Sequence, residues 1–149
     1  MLRVRDLMTT EVPLTTLNTP VSDAARLMRG TDRDSLIVFD LGSPTGIVTE
    51  RDIIRKVTAE AKDPMRMHVS DIVSAPLVTI HPDKSVKDAA LLMVEHKIRH
   101  LPVVKEGRLL GMFTLQDFAK HMSKRSVKDD ILESMGRNAD QPISLMQPG

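Results

Sequence analysis

The chain has 149 residues, 41% apolar and 28% charged, with 21 basic against 20 acidic side chains for a formal net charge of +1. This is the profile of a soluble globular protein long enough to bury a core, not of a disordered chain, and no strong field draws it to nucleic acid or an anionic membrane. It has no cysteine, no Trp, no Tyr and three Phe, which excludes disulfides and Cys-held metal sites and leaves few rings for stacking bases.

The N-terminus, Met1-Leu2-Arg3-Val4-Arg5-Asp6, carries no apolar stretch ahead of a cleavage-like site, so no signal peptide is expected. The longest apolar runs, such as Leu36 to Phe39, are too short to span a bilayer. With the missing cysteines, this leads to an expectation of a cytoplasmic location. The ten Met residues suit an adaptable core.

In chain order, an extended segment over Val12 to Leu17 leads into a helix with Val21, Ala24, Ala25 and Met28 on one face. Two short apolar runs follow, Leu36 to Phe39 and Gly46 to Val48. The turn-forming Asp40-Leu41-Gly42-Ser43-Pro44 between them signals a hairpin. A second helix starts near Asp52 with Ile53, Ile54 and Val57. Thr58 to His68, with its Asp63-Pro64 turn, reads as a link.

The same order then returns. An extended Leu77 to Ile80 precedes a helix with Val86, Ala89, Ala90, Met93 and Val94 on one face and a capping-box spacing at Ser85 and Asp88. Leu101 to Val104 and Leu109 to Phe113 flank a turn at Lys105 to Arg108, and a helix begins near Asp117 with Phe118, Ala119 and Met122. Ser126 to Met135 reads as one more short helix ending at Gly136. Residues 137–149 read as a tail that is disordered or ordered by a partner. The expected domains are 1–66 for the first unit with its linker, 67–125 for the second, and 126–149 for the helix and tail.

The two halves superpose without a gap at an offset of 65, from Val4 on Val69 to Asp117 on Asp52. Val21, Asp23, Ala24, Ala25, Leu27 and Met28 match Val86, Asp88, Ala89, Ala90, Leu92 and Met93. Gly42, Gly46, Thr49 and Asp52 match Gly107, Gly111, Thr114 and Asp117. The chain is therefore an internal repeat of a β-α-β-β-α unit. One unit exposes an apolar sheet face, and two packed about a pseudo-two-fold axis cover it.

Each unit ends its hairpin on Gly-apolar-x-Thr-x-x-Asp, where a helix begins. Thr-x-x-Asp is a capping box in its own right. A ligand-binding carboxylate is the alternative, since an acceptor-only group can serve two donors at once. Both readings stand on the residues alone.

The β-α-β-β-α order in duplicate, with Gly46-Ile47-Val48-Thr49-Glu50-Arg51-Asp52 and Ile98-Arg99-His100-Leu101-Pro102-Val103-Val104, resembles a tandem pair of CBS repeats, a Bateman module, over about residues 3–123. The resemblance implies an α+β (α/β) fold with two repeats about a pseudo-two-fold axis and two clefts between them. It also implies an adenosine-containing ligand, AMP, ADP, ATP or S-adenosylmethionine. The ribose falls to Thr49 with Asp52 and to Thr114 with Asp117. The rest of each cleft comes from the other repeat: Val78, Thr79, Ile80, Arg99, His100, Leu101 and Pro102 beside Asp52, and Leu14, Thr15, Thr16, Ser35, Leu36 and Ile37 beside Asp117.

Arg99 and His100 offer phosphate-binding groups where the offset gives Asp34 and Ser35. The Asp52 cleft is thus expected to carry phosphate. The Asp117 cleft is expected to be empty, weaker or suited to a less anionic ligand. The resemblance further implies a homodimer through the helices and a client protein regulated in trans. A scaffold with unused clefts is the alternative.

No enzyme activity is expected, because neither a Gly-x-x-x-x-Gly-Lys loop nor a nucleophile–base motif is present. His68, His81, His96 and His121 have no metal-ligand spacing, so no metal or redox cofactor is expected. Lys120, His121, Lys124, Arg125 and Lys128 read as a solvated basic helix face. Neither a nucleic acid nor a membrane is expected as a partner.

Overall fold

A computed structural model describes residues 1–124. The expected helix at 126–135, the tail at 137–149, Arg125 and Lys128 lie outside the described residues. The elements run α1 (Val4–Leu7), β1 (Leu14–Thr16), α2 (Val21–Thr31), β2 (Ser35–Asp40), β3 (Ser43–Thr49) and α3 (Glu50–Ile53). They continue with α4 (Val86–His96), β4 (His100–Lys105), β5 (Arg108–Thr114) and α5 (Leu115–Lys124). A π-helical turn, Ile54–Thr58, extends α3, and a 3-10 turn, Val69–Asp71, stands at the counterpart of α1.

The local signals act as their chemistry dictates. α2 buries Val21, Ala24 and Met28, and α4 buries the matching Val86, Ala89 and Met93. Each helix stops on a left-handed residue, Asp32 at φ 53° and Lys97 at φ 55°. Ser85 caps α4 by accepting from the Asp88 amide, whereas Pro20 stands at the matching position of α2 and offers no side-chain cap. In both hairpins the two turn residues have positive φ, Leu41 and Gly42 at 51° and 79°, Glu106 and Gly107 at 52° and 77°. That is the turn whose twist suits antiparallel neighbours, and glycine takes its second position without strain.

β1 runs parallel to β2, Leu14 opposite Ile37 and Thr16 opposite Phe39, and β2 is antiparallel to β3. β4 and β5 repeat the hairpin, but the expected leading strand at Leu77 to Ile80 narrows to one parallel bridge, Ile80 with Val103. Pro102 is the reason. Its counterpart Ile37 donates its amide to the Pro13 carbonyl. Proline has no amide hydrogen to give, so one rung is lost. The remaining bonds, Ile80 N to Pro102 O and Val104 N to Ile80 O, hold the segment in place.

The two cores do not divide where the sequence repeats divide. Val21, Ala24, Met28, Leu36, Val38, Val48 and Val57 form one core together with Val69 and Ile72 from beyond the linker. Val86, Ala89, Met93, Leu101, Val103 and Phe113 form the other together with Val4, and Leu2, Leu7 and Met8 pack on it. Each repeat therefore sends its leading segment across to the other. Both packed bodies thus draw residues from either side of residue 66.

Backbone bonds fasten both crossings in matching pairs: Val4 N to Lys84 O with Val69 N to Thr19 O, and Arg5 N to Pro82 O with Ser70 N to Leu17 O. The glycines of the repeated motif make room for them. A Cβ on Gly46 would stand 2.8 Å from the Ser74 carbonyl, and one on Gly111 would stand 2.6 Å from the Thr9 carbonyl.

Candidate functional site

The hairpins deliver Thr49 and Thr114 to the first turns of α3 and α5. There both capping boxes form. The Thr49 amide and hydroxyl donate to Asp52 Oδ2 at 3.0 and 3.2 Å, and the Asp52 amide donates back to the Thr49 hydroxyl at 3.3 Å. The Thr114–Asp117 pair repeats this at 3.0, 3.0 and 3.1 Å. One oxygen of each aspartate thus serves the helix start, and the other is turned to the crossing segment.

There the two aspartates part company. Asp117 Oδ1 accepts a long 3.3 Å bond from the Thr9 hydroxyl. Asp52 Oδ1 accepts a 3.4 Å bond from Ser74, the counterpart of Thr9, and is also ion-paired to Lys56 Nζ at 3.2 Å, with only 12% of the Asp52 side chain exposed. Lys56 is itself tied to the Ile72 carbonyl at 2.9 Å. His121 stands at the offset position of Lys56 in the second repeat, and among the described residues no ion pair reaches Asp117.

A cavity of about 730 Å³ opens between the repeats on the Asp117 side. Thr114, Leu115, Gln116, Asp117 and Lys120 contribute from the second repeat. Val12, Pro13, Met28, Arg33, Asp34, Ser35 and Glu50 contribute from the first. Apolar wall comes from Val12, Pro13, Met28, Met112 and Leu115. The charges are mixed, with Arg29, Arg33, Arg99 and Lys120 facing Glu11, Asp32, Asp34, Glu50 and Asp117. Across the boundary, His100 Nε2 lies 2.8 Å from Asp34 Oδ1.

The structure gathers Ser35, Arg99, His100, Thr114 and Asp117 at this cavity. Arg99 and His100, assigned above to Asp52, therefore stand on Asp117's wall. Thr49 and Asp52 are not part of that wall, nor are Thr15, Thr16, Leu36, Ile37, Leu101, Pro102, Val78, Thr79 and Ile80. Leu36 and Leu101 are wholly buried because strand alternation turns them into the two cores beside Val38 and Val103. Ile37 is buried outside both core clusters, Ile80 sits in the second core, Thr15 is buried and Thr16 bonds the Thr19 hydroxyl.

Sequence reasoning did not find Thr9, Ser74, Pro13, Arg33 or Glu50. Thr9 and Ser74 left a signal, a hydroxyl residue at the same place in both copies. The others have none, since only packing brings them to the cavity. Among the described residues no group of His, Asp and Glu is arranged to hold a metal ion, and no helix is long and apolar enough to cross a membrane.

Comparison with known proteins bears on the two-repeat fold. The CBS domain family matches residues 4–59 and 69–124, the two repeats. The CBS domain-containing protein YhcV of Bacillus subtilis is 37% identical over 124 residues, which cover 83% of this chain and 88% of that protein. The chain spans only 42% and 32% of two archaeal relatives. Among solved structures, a hexameric CBS-CP12 protein from bloom-forming cyanobacteria superposes with a TM-score of 0.77 at 32% identity, covering 93% of this chain and 84% of that one. A putative signal-transduction protein with CBS domains from Burkholderia ambifaria gives 0.71 at 32% identity, covering 92% and 90%. The duplicated motif, the paired units with exchanged leading segments and these matches together establish that the chain belongs to the CBS-domain family, as a tandem pair of repeats.

Proposed function

We propose that this CBS pair is a regulatory module that takes an adenosine-containing ligand, AMP, ADP or ATP, in the cavity between its repeats and alters a client protein in trans. The observation that carries the reading is Asp117. It sits on the cavity wall with one carboxylate oxygen engaged by the helix cap and the other held, among the described residues, only by the long Thr9 contact. That oxygen keeps lone-pair capacity for a ribose diol. Val12, Pro13, Met112 and Leu115 offer an apolar slot for a base, and Arg29, Arg33, Arg99 and Lys120 offer cations for phosphate.

The phosphate-bearing cleft is therefore the one at Asp117, not the one at Asp52. Lys56 and Ser74 occupy the free oxygen of Asp52. The likeness to a signal-transduction protein supports a regulatory role. No catalytic step is proposed, and the module is taken to work in the cytoplasm.

Titration calorimetry with AMP, ATP and S-adenosylmethionine tests the reading. Asp117→Asn is expected to weaken the adenosyl ligand by about tenfold or more, the scale of losing hydrogen bonds to a charged acceptor, and Asp52→Asn by less than about threefold. No binding by the wild-type protein, or equal losses in the two variants, overturns it.

Self-association through the helices is part of the same proposal. The exposed face of α4 carries Leu91 and Val94, 59% and 77% exposed, where α2 carries Arg26 and Arg29. A solved relative is hexameric. Light scattering of Val94→Arg against the wild-type protein checks whether that face joins two copies. Unchanged mass in a multimeric wild type rules the face out.

A further inference from the structure

Asp34 and Arg99 occupy the same place in the two repeats. The Asp34 carbonyl accepts the Glu50 amide at 3.0 Å, and the Arg99 carbonyl accepts the Leu115 amide at 3.0 Å. The backbone therefore fixes both residues to the start of a motif helix, and the side chain is what differs. In the first repeat it is an anion, and it lines the cavity. Its carboxylate reaches across the repeat boundary to His100 Nε2 at 2.8 Å, with 61% of the Asp34 side chain exposed but only 13% of the His100 side chain.

An imidazole nitrogen that meets a carboxylate at this distance donates its hydrogen to it, whether the ring is neutral or charged. His100 is thus the sheltered partner, held by an anion belonging to the protein itself.

Resting on the ligand reading above, we propose that Asp34 is an internal competitor for the anionic part of the ligand and sets the charge selectivity of the cavity. A phosphate that uses His100 must first displace Asp34 from Nε2, and it then lies beside the displaced carboxylate and near Glu50. A like charge placed against a bound anion weakens it. The uncharged adenosine pays neither cost, because the diol and the base need neither His100 nor Arg99. Asp34 therefore narrows the advantage that Arg33, Arg99 and Lys120 give to phosphorylated ligands. Its displacement also breaks a side-chain bond that joins the two repeats, which ties phosphate occupancy to the way the repeats are held together.

The test is calorimetry of adenosine, AMP and ATP on the wild-type protein, Asp34→Asn and Asp34→Ser, with circular dichroism melts to show that each variant folds. In both variants AMP is expected to bind about fivefold or more tightly than to the wild type, ATP to gain at least as much as AMP, and adenosine to change by less than about twofold. His100→Ala should then cost more AMP affinity in the Asp34→Ser background than in the wild type, because the shortened side chain leaves the ring free to serve the ligand. An unchanged ratio of AMP to adenosine affinity overturns this role for Asp34 while leaving the ligand reading intact. Absence of binding by all three ligands to every protein overturns both.

Discussion

The two crossing segments make the most instructive comparison in the molecule. Residues 2–9 lie on the second repeat and residues 67–74 on the first, with matching backbone bonds and a matching glycine under each. Yet Arg5 and Arg3 pin the first crossing to Asp83, while the counterparts of Arg5 and Asp83 in the second crossing are Ser70 and Asn18. The second crossing instead lies over an aspartate closed by Lys56, and the first over an aspartate open to a cavity. Duplication preserved the skeleton, because backbone bonds and close approaches tolerate little change. The charges around it diverged, because exposed side chains cost little to replace.

Core truncation breaks the comparison most severely. Leu36→Ala and Leu101→Ala remove matched, fully buried side chains and should each cost about 2–5 kcal/mol in denaturant melts. The exchange of segments makes a sharper statement: Val4→Ala should speed amide exchange in β4 and β5, and Val69→Ala in β2 and β3. The opposite pattern would mean that each leading segment serves its own repeat.

Glycine variants come next. Gly46→Ala and Gly111→Ala force a Cβ against the Ser74 and Thr9 carbonyls and should cost about 1–3 kcal/mol each. Gly30→Ala in α2 meets nothing within 4 Å and should be neutral or stabilising by up to about 1 kcal/mol. A thermal melt ranks the three, and a harmless Gly111→Ala would deny the close crossing there.

Lys56→Met then asks what separates the two aspartates. The pair is partly exposed, so its loss should cost no more than about 1 kcal/mol. Freed of the cation, Asp52 should become available to a ligand, and calorimetric stoichiometry should rise above that of the wild-type chain. Unchanged stoichiometry would place the difference elsewhere than in Lys56.

The smallest effect concerns acid. Desolvation pushes the Asp83 carboxyl up, but the charge and hydrogen bond of Arg5, with His81 and Arg3, outweigh it, so the group titrates below the ordinary carboxylate range. A lowered folded pKa stabilises fully above the unfolded value and is lost as pH falls through the lowered one, a window below about pH 4. Acid should loosen residues 2–9 before residues 67–74, and Asp83→Asn should abolish the difference in amide exchange.

Much of the fold was legible because it rests on local chemistry. Helix faces, the Leu41-Gly42 and Glu106-Gly107 turns and the Thr-x-x-Asp caps follow from periodicity and turn residues within a few positions of one another. The lost strand rung at Pro102 was equally local, written in a residue without an amide hydrogen, but its partner lies some twenty residues away and only pairing reveals it. The site was half legible. Asp117, Thr114, Ser35, Arg99 and His100 line one cavity, whereas the sequence expectation set Arg99 and His100 beside Asp52. An offset between repeats relates equivalent positions and does not say which of two clefts a boundary residue enters.

The amino-acid order by itself determined that there are two equivalent units, which faces of the two long helices are apolar, where the hairpins turn, and where the Thr-x-x-Asp helices start. Those are properties of neighbouring atoms along the chain, repeated twice. Only the tertiary structure decided that the leading segments change places, that Lys56 covers one carboxylate while the other faces a cavity, and that Asp34 meets His100. These depend on approaches between residues far apart in the chain, 108 positions for Thr9 and Asp117, and such distances are set when two packed bodies close on each other.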